Sequence, residues 1–433
     1  MRVRVNIFSD CSSDLGIQGI RFDFELDDKD VTNTISKNAG NSNILLKERY
    51  CNFYFPIIFD LPHPDLCAFA ALKIISPYVG YTFDMDRGVS NKMAEQIKKQ
   101  YPSILEVKVD EKLQAYTAKK DGKSVVSFSG GVDSIAASVL MGNESPLIMT
   151  ARTEHPNIGK YEQWNNPRAQ IKTLTYMPYD FSKVLVYTDF PYLSVNTTDN
   201  YCIYPDSYAF TIPCVLLAEK LNIAHIITGD IMAAFIGNET IYNEGFTSLS
   251  SDFFTVLGIN LDYPCNGISE LVTTKIAKEN GLLEISSACE YGDFMQPCMK
   301  CIKCFRKSIY KWALFDESLT DMQLKTFNDS PAIDKYANND TRRGLDFMPS
   351  YKFCFEKIQY SFTGNIKKIY DRSMKYNEPV SWVDRRFKLA YKNRDPVIRN
   401  AISQLDKYAP EMLSYEESFF KRLNWKKIYN QVT

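Results

Sequence analysis

Ser129-Gly130-Gly131-Val132-Asp133-Ser134 is the run whose residue types and order most clearly encode chemistry. The apolar segment before it, Ser124-Val125-Val126-Ser127-Phe128, reads as a buried strand, and Ile135-Ala136-Ala137-Ser138-Val139-Leu140 after it reads as a helix. A Gly-Gly turn between a strand and a helix N-terminus is a phosphate-binding device. Without Cβ atoms the backbone can curl around an anion and point its N–H groups inward. The helix start adds free donors and a favourable dipole. Two serines add hydroxyls. Asp133 would repel a bare phosphate, so it implies a divalent cation, Mg2+. A glycine turn in an ordinary αβ unit does not need Ser, Asp and Ser at these spacings. Gly122-Lys123-Ser124 looks like the tail of a Walker loop. However, Thr117 stands where the leading glycine belongs, and the segment runs into a strand rather than a helix.

The second group is Cys289, Cys298, Cys301 and Cys304, in the pattern C-x8-C-x2-C-x2-C. Four thiolates at short spacing suit a closed tetrahedral Zn2+ site. Lys300, Lys303, Arg306 and Lys307 stand ready to offset a tetrathiolate's charge. An iron–sulfur cluster is the rival, since such runs also hold clusters, and four buried free thiols are the plain alternative. The other seven cysteines are scattered singly among apolar residues, which argues against a disulfide framework.

The six-residue loop resembles the S-G-G-x-D-S signature of the PP-loop ATP-pyrophosphatase family. The resemblance implies an adenine nucleotide alpha hydrolase-like fold and cleavage of ATP between the α and β phosphates, with transfer of AMP to a substrate oxygen. It implies catalytic roles for Ser129, Asp133, Ser134 and Asp230. It implies nucleotide contacts from Ser129, Gly130, Gly131, Val132, Asp133, Ser134, Met149, Thr150, Ala151 and Gly229, with Asp133 holding Mg2+. The order of loop, cysteine knuckle and following Arg resembles QueC-type 7-cyano-7-deazaguanine synthases, in which the cysteines bind structural zinc. Those enzymes adenylate a carboxylate on a deazapurine and let ammonia displace AMP. Gly267-Ile268-Ser269-Glu270-Leu271-Val272, through Gly281, also looks like the family's approach to its knuckle. The resemblance covers residues 122–310. It departs where QueC enzymes carry Asp-x-Ser-Gly-Tyr-Pro-Asp. Here the stretch is Thr228-Gly229-Asp230-Ile231-Met232-Ala233-Ala234-Phe235-Ile236-Gly237-Asn238-Glu239, so a different acceptor is expected. Related proteins occur in anti-phage operons and in surface-polysaccharide clusters.

These residues need a scaffold. Strands expected near residues 124–128, 146–150, 183–187 and 224–228 alternate with helices, notably over 207–221. That alternation implies a doubly wound parallel α/β sheet over 121–310. Ligands of such sheets sit at the carboxyl ends of the strands, which would gather Ser129, Thr150 and Asp230 around one crevice. Residues 1–120 read as an N-terminal α+β domain, with alternating strands through Phe22, Phe24 and Leu26 and through Phe53 and Phe55. A helix is expected from Pro64 to Ile75. Residues 311–433 read as a mostly helical region. Residues 351–433 hold 17 Lys and Arg against nine Asp and Glu, including Lys367-Lys368, Arg385-Arg386 and Lys426-Lys427, near Trp382 and Trp425. A solvated basic face is the expectation, with a docking surface for RNA or an acidic partner as the alternative.

Of 433 residues, 51 are Lys or Arg and 52 Asp or Glu, so net charge gives no reason to expect nucleic acid or an anionic membrane. No apolar run reaches spanning length and the N-terminus lacks a signal-peptide core, which points to the cytoplasm. His63, His155 and His225 form no catalytic arrangement. The expected partners are ATP, an acceptor bearing a carboxylate or carbonyl oxygen (a small molecule or a protein), and an operon-encoded protein. The alternatives are a tRNA- or nucleobase-modifying PP-loop enzyme, with Cys202 and Cys214 open as sulfur carriers, and a non-catalytic nucleotide-sensing subunit.

Overall fold

Lys123–Phe128 feeds apolar side chains to both faces and is the middle one of five neighbouring parallel strands, as continuous runs are in parallel sheets. The computed structural model describes residues 1–9, 18–36, 42–154, 167–197, 208–231, 252–266, 268–287, 289, 291–338, 347–375 and 396–408. The chain is a mixed α/β protein built on a ten-stranded, mostly parallel sheet. Five parallel strands form one part, in the spatial order Asn260–Asp262, Ile223–Ile227, Lys123–Phe128, Leu147–Arg152, Lys183–Thr188. Chain order runs outward in both directions from Lys123–Phe128. The topological switch point therefore lies between that strand and Ile223–Ile227, where ligands of open α/β sheets bind.

The same sheet continues into the N-terminal segment. Lys183–Thr188 pairs antiparallel with Tyr50–Phe55, followed by Gln18–Glu25 and Arg2–Ser9. Thr82–Met85 and Glu106–Val107 then extend it in parallel. Residues before and after position 120 thus share one sheet. Alternation fixes the register: Val3 and Val5 are buried while Arg2 and Arg4 face solvent, and a slip of one residue would reverse them. A separate three-stranded sheet joins Ser194–Asn196, Ser42–Leu46 and Asn33–Ser36.

Neighbouring side chains on one strand feed opposite cores. Val125 and Ile148 join an apolar cluster with the wholly buried helix Pro64–Ile75 and with Ile212–Leu216. Val126, Phe128, Leu147 and Met149 join a second cluster with Val132–Met141 and Glu270–Glu279, capped by Ala401, Ile402 and Leu405. A third cluster packs Ile302–Phe315 against Met348–Lys357 and Gly364–Ser373, around Phe305, Tyr310, Tyr351 and Phe355. The described residues beyond 311 are mainly helical, as expected. Lys367 pairs with Asp371, and Lys368 Nζ lies 3.0 Å from the side-chain oxygens of Asn338 and Asn365. Trp382, Arg385, Arg386, Trp425, Lys426 and Lys427 lie outside the described residues. Among the described residues, no helix is long and apolar enough to cross a membrane.

Where the antiparallel strands join the parallel ones, Asp189 accepts from the Asn52 N–H at 2.6 Å and from Asn52 Nδ2 at 2.7 Å. Both residues are buried. Replacing Asp189 with Ala leaves those donors unpaired. It should cost about 3 kcal/mol in denaturant unfolding, with Asp189→Asn costing less because it keeps an acceptor.

Candidate functional site

Ser129 follows strand Lys123–Phe128, and helix Val132–Met141 starts three residues after it. Gly130 makes the turn with φ +77°, a left-handed conformation that L side chains rarely adopt. Gly131 caps the helix without a side-chain hydrogen bond, so no capping side chain takes up the first-turn amides of this ten-residue helix. The two loop serines converge: Ser129 Oγ lies 3.2 Å from Ser134 Oγ, which donates to the Gly131 carbonyl at 2.9 Å. Ser129 is exposed and Ser134 buried.

Backbones hold this loop from two sides. The Ser287 N–H donates to the Gly130 carbonyl at 2.9 Å. Gly229, just past strand Ile223–Ile227, packs so closely that a Cβ there would lie 2.7 Å from the Asp133 carbonyl carbon and the Ser134 nitrogen. Helix Pro167–Tyr176 adds Gln170 Nε2, 3.4 Å from the Ser129 carbonyl. Loop and Thr228-Gly229-Asp230 therefore meet at the switch point.

Asp133 is the half-buried acid of the site. Thr273 Oγ1 donates to its Oδ1 at 2.6 Å. Burial, reinforced by Glu270, pushes the carboxyl up to about 7, against opposing pulls from Thr273, Arg306 and Lys307. Glu270 pairs with Arg306: Nη2 donates to Oε1 at 3.1 Å, and Nε sits 2.5 Å from Oε2 in a contact too bent to be a hydrogen bond. Arg306 also lies 3.8 Å from the Phe347 ring centroid. Lys307 donates to Ser286 Oγ at 2.6 Å, and burial lowers its ammonium to about 8 despite Glu270 and Asp133. Asp230 accepts from Thr228 Oγ1 at 2.6 Å, and burial raises its carboxyl.

The three strand residues expected at a nucleotide are not brought to one surface. Met149 reaches the Gly130 turn, its Cε 3.4 Å from where a Cβ would stand. Thr150 points to the other sheet face, 3.4 Å from the Phe210 carbonyl, and Ala151 is buried. Residues 232–239 of the divergent stretch, His155 and Cys202 lie outside the described residues. Cys214 and Cys265 are buried thiols. Burial pushes Cys214 up to about 12 and Cys265 well above its ordinary value, although Cys265 Sγ lies 3.9 Å from the Asp133 carbonyl.

The four knuckle sulfurs lie within 4.8 Å of one another and could hold a metal ion. Cys289 Sγ is 3.4 Å from Cys304 Sγ, and Cys298 Sγ is 3.8 Å from it. Backbone amides point at the sulfurs: Gly292 and Cys298 N–H lie 3.0 and 3.1 Å from Cys289 Sγ, and the Cys304 N–H 3.4 Å from Cys301 Sγ. Met295 and Met299 take positive φ to make these turns. Cys301 caps Ile302–Phe315, so the helix that carries Arg306 and Lys307 begins at the knuckle. Arg306 is committed to Glu270 rather than to the sulfurs.

Sequence reasoning missed Thr273, Glu270 and Ser287 as site residues and gave Arg306 a different partner. A family model described as a family of unknown function (DUF6395) matches residues 250–424. That span includes the knuckle, Glu270, Thr273, Arg306 and Lys307, and omits the 129–134 loop. No curated protein and no solved structure matches the chain.

The glycine contacts allow folding to be tested apart from the anion binding expected of the loop. Gly229→Ala sets a methyl against backbone that cannot move aside and should cost about 2 kcal/mol of stability. Gly131→Ala meets nothing closer than Ser129 Oγ at 3.5 Å. It should keep the wild-type melting midpoint in a thermal scan and weaken inorganic pyrophosphate binding by calorimetry.

Proposed function

We propose that this chain is an ATP-dependent adenylating enzyme that activates a carboxylate or carbonyl oxygen for attack by ammonia or an amine. One observation carries the reading: the 129–134 loop stands at the switch point with Gly229 packed onto its first helical turn. An amide-lined turn there suits a whole pyrophosphate, and it carries no lysine of its own to favour the γ phosphate.

In the proposed reaction the acceptor oxygen attacks the α-phosphorus of ATP. A new P–O bond forms as the α–β bridge bond breaks, and pyrophosphate leaves into the loop. The nucleophile's nitrogen then adds to the activated carbonyl carbon, loses a proton, and expels AMP. Ser129, Ser134 and the first-turn amides donate to the departing pyrophosphate. Preorganised donors of this kind contribute most where charge develops in a site that excludes water. Asp133 fits a cation, because its carboxyl feels the charge of a second acid, Glu270, and takes a hydrogen bond from Thr273. Mg2+ held there would offset phosphate charge. Asp230, next after Gly229 in the chain, is the candidate to face the acceptor. The buried, unreactive thiols of Cys214 and Cys265 favour nitrogen over sulfur as the second nucleophile. The operon settings of related proteins make anti-phage defence or surface-polysaccharide synthesis the pathways to examine.

The metal at the knuckle is proposed to be a structural Zn2+. A tetrahedron with Zn–S bonds of about 2.3 Å separates sulfurs by about 3.8 Å. The contacts of 3.4 and 3.8 Å fit one ion, whereas an iron–sulfur cluster would push the thiolates farther apart. Elemental analysis should find about one zinc per chain and no visible chromophore. Cys301→Ser should lose the zinc and lower the melting midpoint, since a structural site contributes directly to folding. A brown, iron-containing protein would contradict the assignment.

The bond that breaks is read from α- and γ-labelled ATP, with cell extract supplying the acceptor. AMP and pyrophosphate should form only when extract is present. Asp133→Ala should slow the reaction by about a thousandfold, and Ser129→Ala by about tenfold or less. ADP and phosphate as the enzyme's own products, lost with Asp133→Ala, would replace adenylation with an ATPase switch. Binding of ATP without turnover would favour the sensing subunit.

A further inference from the structure

The cysteine knuckle is not closed on every side. A cavity of about 300 Å3 lies against it, with Leu283, Lys307 and Leu319 in its wall. Asp293, Met295, Gln296 and Pro297 also line it and are exposed, so the cavity reaches solvent. Cys289 and Cys304 border this space, whereas Cys298 and Cys301 are not among its described lining residues. A purely structural metal site is ordinarily closed, so two sulfurs on a solvent-connected cavity call for an explanation.

The two sulfurs on the cavity are also close neighbours. Cys289 Sγ lies 3.4 Å from Cys304 Sγ, against 3.8 Å between Cys298 and Cys304. Cys289 is half-buried and Cys304 buried. The Gly292 and Cys298 amides donate to Cys289 Sγ at 3.0 and 3.1 Å and fix that sulfur beside Cys304. An accessible cysteine with a second sulfur in reach is the arrangement of an oxidant-responsive residue and its resolving partner. Cys51, Cys67, Cys214, Cys265 and Cys354, by contrast, are wholly buried.

We infer that Cys289 and Cys304 form a peroxide-sensitive pair, whose oxidation to a disulfide dismantles the knuckle and unfastens helix Ile302–Phe315. Peroxide entering the cavity meets Cys289. The Cys289 sulfur attacks one peroxide oxygen: an S–O bond forms, the O–O bond breaks, and the other oxygen leaves as hydroxide. Cys304 then attacks the oxidised sulfur. An S–S bond forms, the S–O bond breaks, and a second hydroxide leaves. Each hydroxide takes a proton from solvent, and two electrons have passed from the sulfurs to the peroxide. Cys298 and Cys301 alone cannot complete a tetrahedral site, so a bound metal is released. The helix begins at Cys301 and carries Cys304 and Arg306, so the change reaches the Glu270 ion pair and, through Thr273, Asp133. Metal release rests on the zinc reading, while the disulfide stands on the cavity and the sulfur distances alone.

The test is hydrogen peroxide added to the full chain, purified under reductant and then freed of it. Mass spectrometry of unreduced peptides should find Cys289 joined to Cys304 as the main crosslink, with Cys51, Cys67, Cys214, Cys265 and Cys354 still reduced. A chromogenic chelator should register about one equivalent of zinc leaving as the crosslink forms, and the melting midpoint should fall. Dithiothreitol with added zinc should restore it. Leu319→Trp, which narrows the cavity and keeps all four cysteines, should slow crosslinking about tenfold or more. The inference falls if the main crosslink joins another pair, if the sulfurs go to sulfinic or sulfonic acid without a crosslink, if the crosslinked protein keeps its melting midpoint, or if Leu319→Trp reacts at the wild-type rate. Zinc content of the untreated protein separates the two claims. Crosslinking of Cys289 to Cys304 in a protein without zinc keeps the pair and removes the zinc reading. A zinc-bearing protein that resists peroxide does the reverse.

Discussion

Two backbones approach each other at the reversal of the sheet, and the rest of the site depends on that approach. Gly229 lies against the Asp133–Ser134 peptide with no room for a methyl group. Gly130, in a left-handed turn, accepts from Ser287 on the other side. Together these contacts hold the first turn of Val132–Met141 open toward the carboxyl ends of the parallel strands. Close-packed interiors transmit strain rather than absorb it, so these contacts restrain the loop. Rigidity matters because a cradle that must reorganise to meet an anion loses much of its electrostatic benefit.

A chain of buried polar groups then ties the cradle to the knuckle. Asp133 meets Thr273 on Glu270–Glu279, and Glu270 on the same helix meets Arg306 on Ile302–Phe315, whose cap is Cys301. Buried ion pairs seldom add much net stability, but breaking one leaves an uncompensated charge, so such networks fix geometry more than they lower energy. The knuckle therefore bears on the 129–134 loop through three helices. The same helix presents Lys307 to the cavity. A metal site that folds Ile302–Phe315 would also set where that cation stands.

The loop and the knuckle were legible because their chemistry is contiguous. Six residues in a strand–turn–helix context, and four cysteines within sixteen positions, declare themselves without knowledge of the fold. Apolar runs likewise placed the strands at 123–128, 147–152, 183–188 and 223–227 to within a few residues. What local pattern could not show was pairing across distance. Alternation marked Tyr50–Phe55 as a strand, yet nothing in it says that its partner is Lys183–Thr188. Glu270 and Arg306 are ordinary helix-surface types until two helices bring them together. Ser287 carries no sequence signal, because its role follows from a backbone bond. Alternation along a strand also sends Thr150 and Met149 to opposite faces, which grouping them by position in the sequence does not show.

The central claim is that the 129–134 loop receives the phosphates of ATP at the sheet's switch point. The most direct measurement is a crystal structure with Mg2+ and an ATP analogue whose α–β bridge cannot be cleaved. The account predicts β- and γ-phosphate oxygens about 3 Å from the Gly131 and Val132 amides and from the Ser129 and Ser134 hydroxyls. It also predicts Mg2+ density at Asp133. Phosphates bound elsewhere, with the loop unchanged and empty, would contradict it.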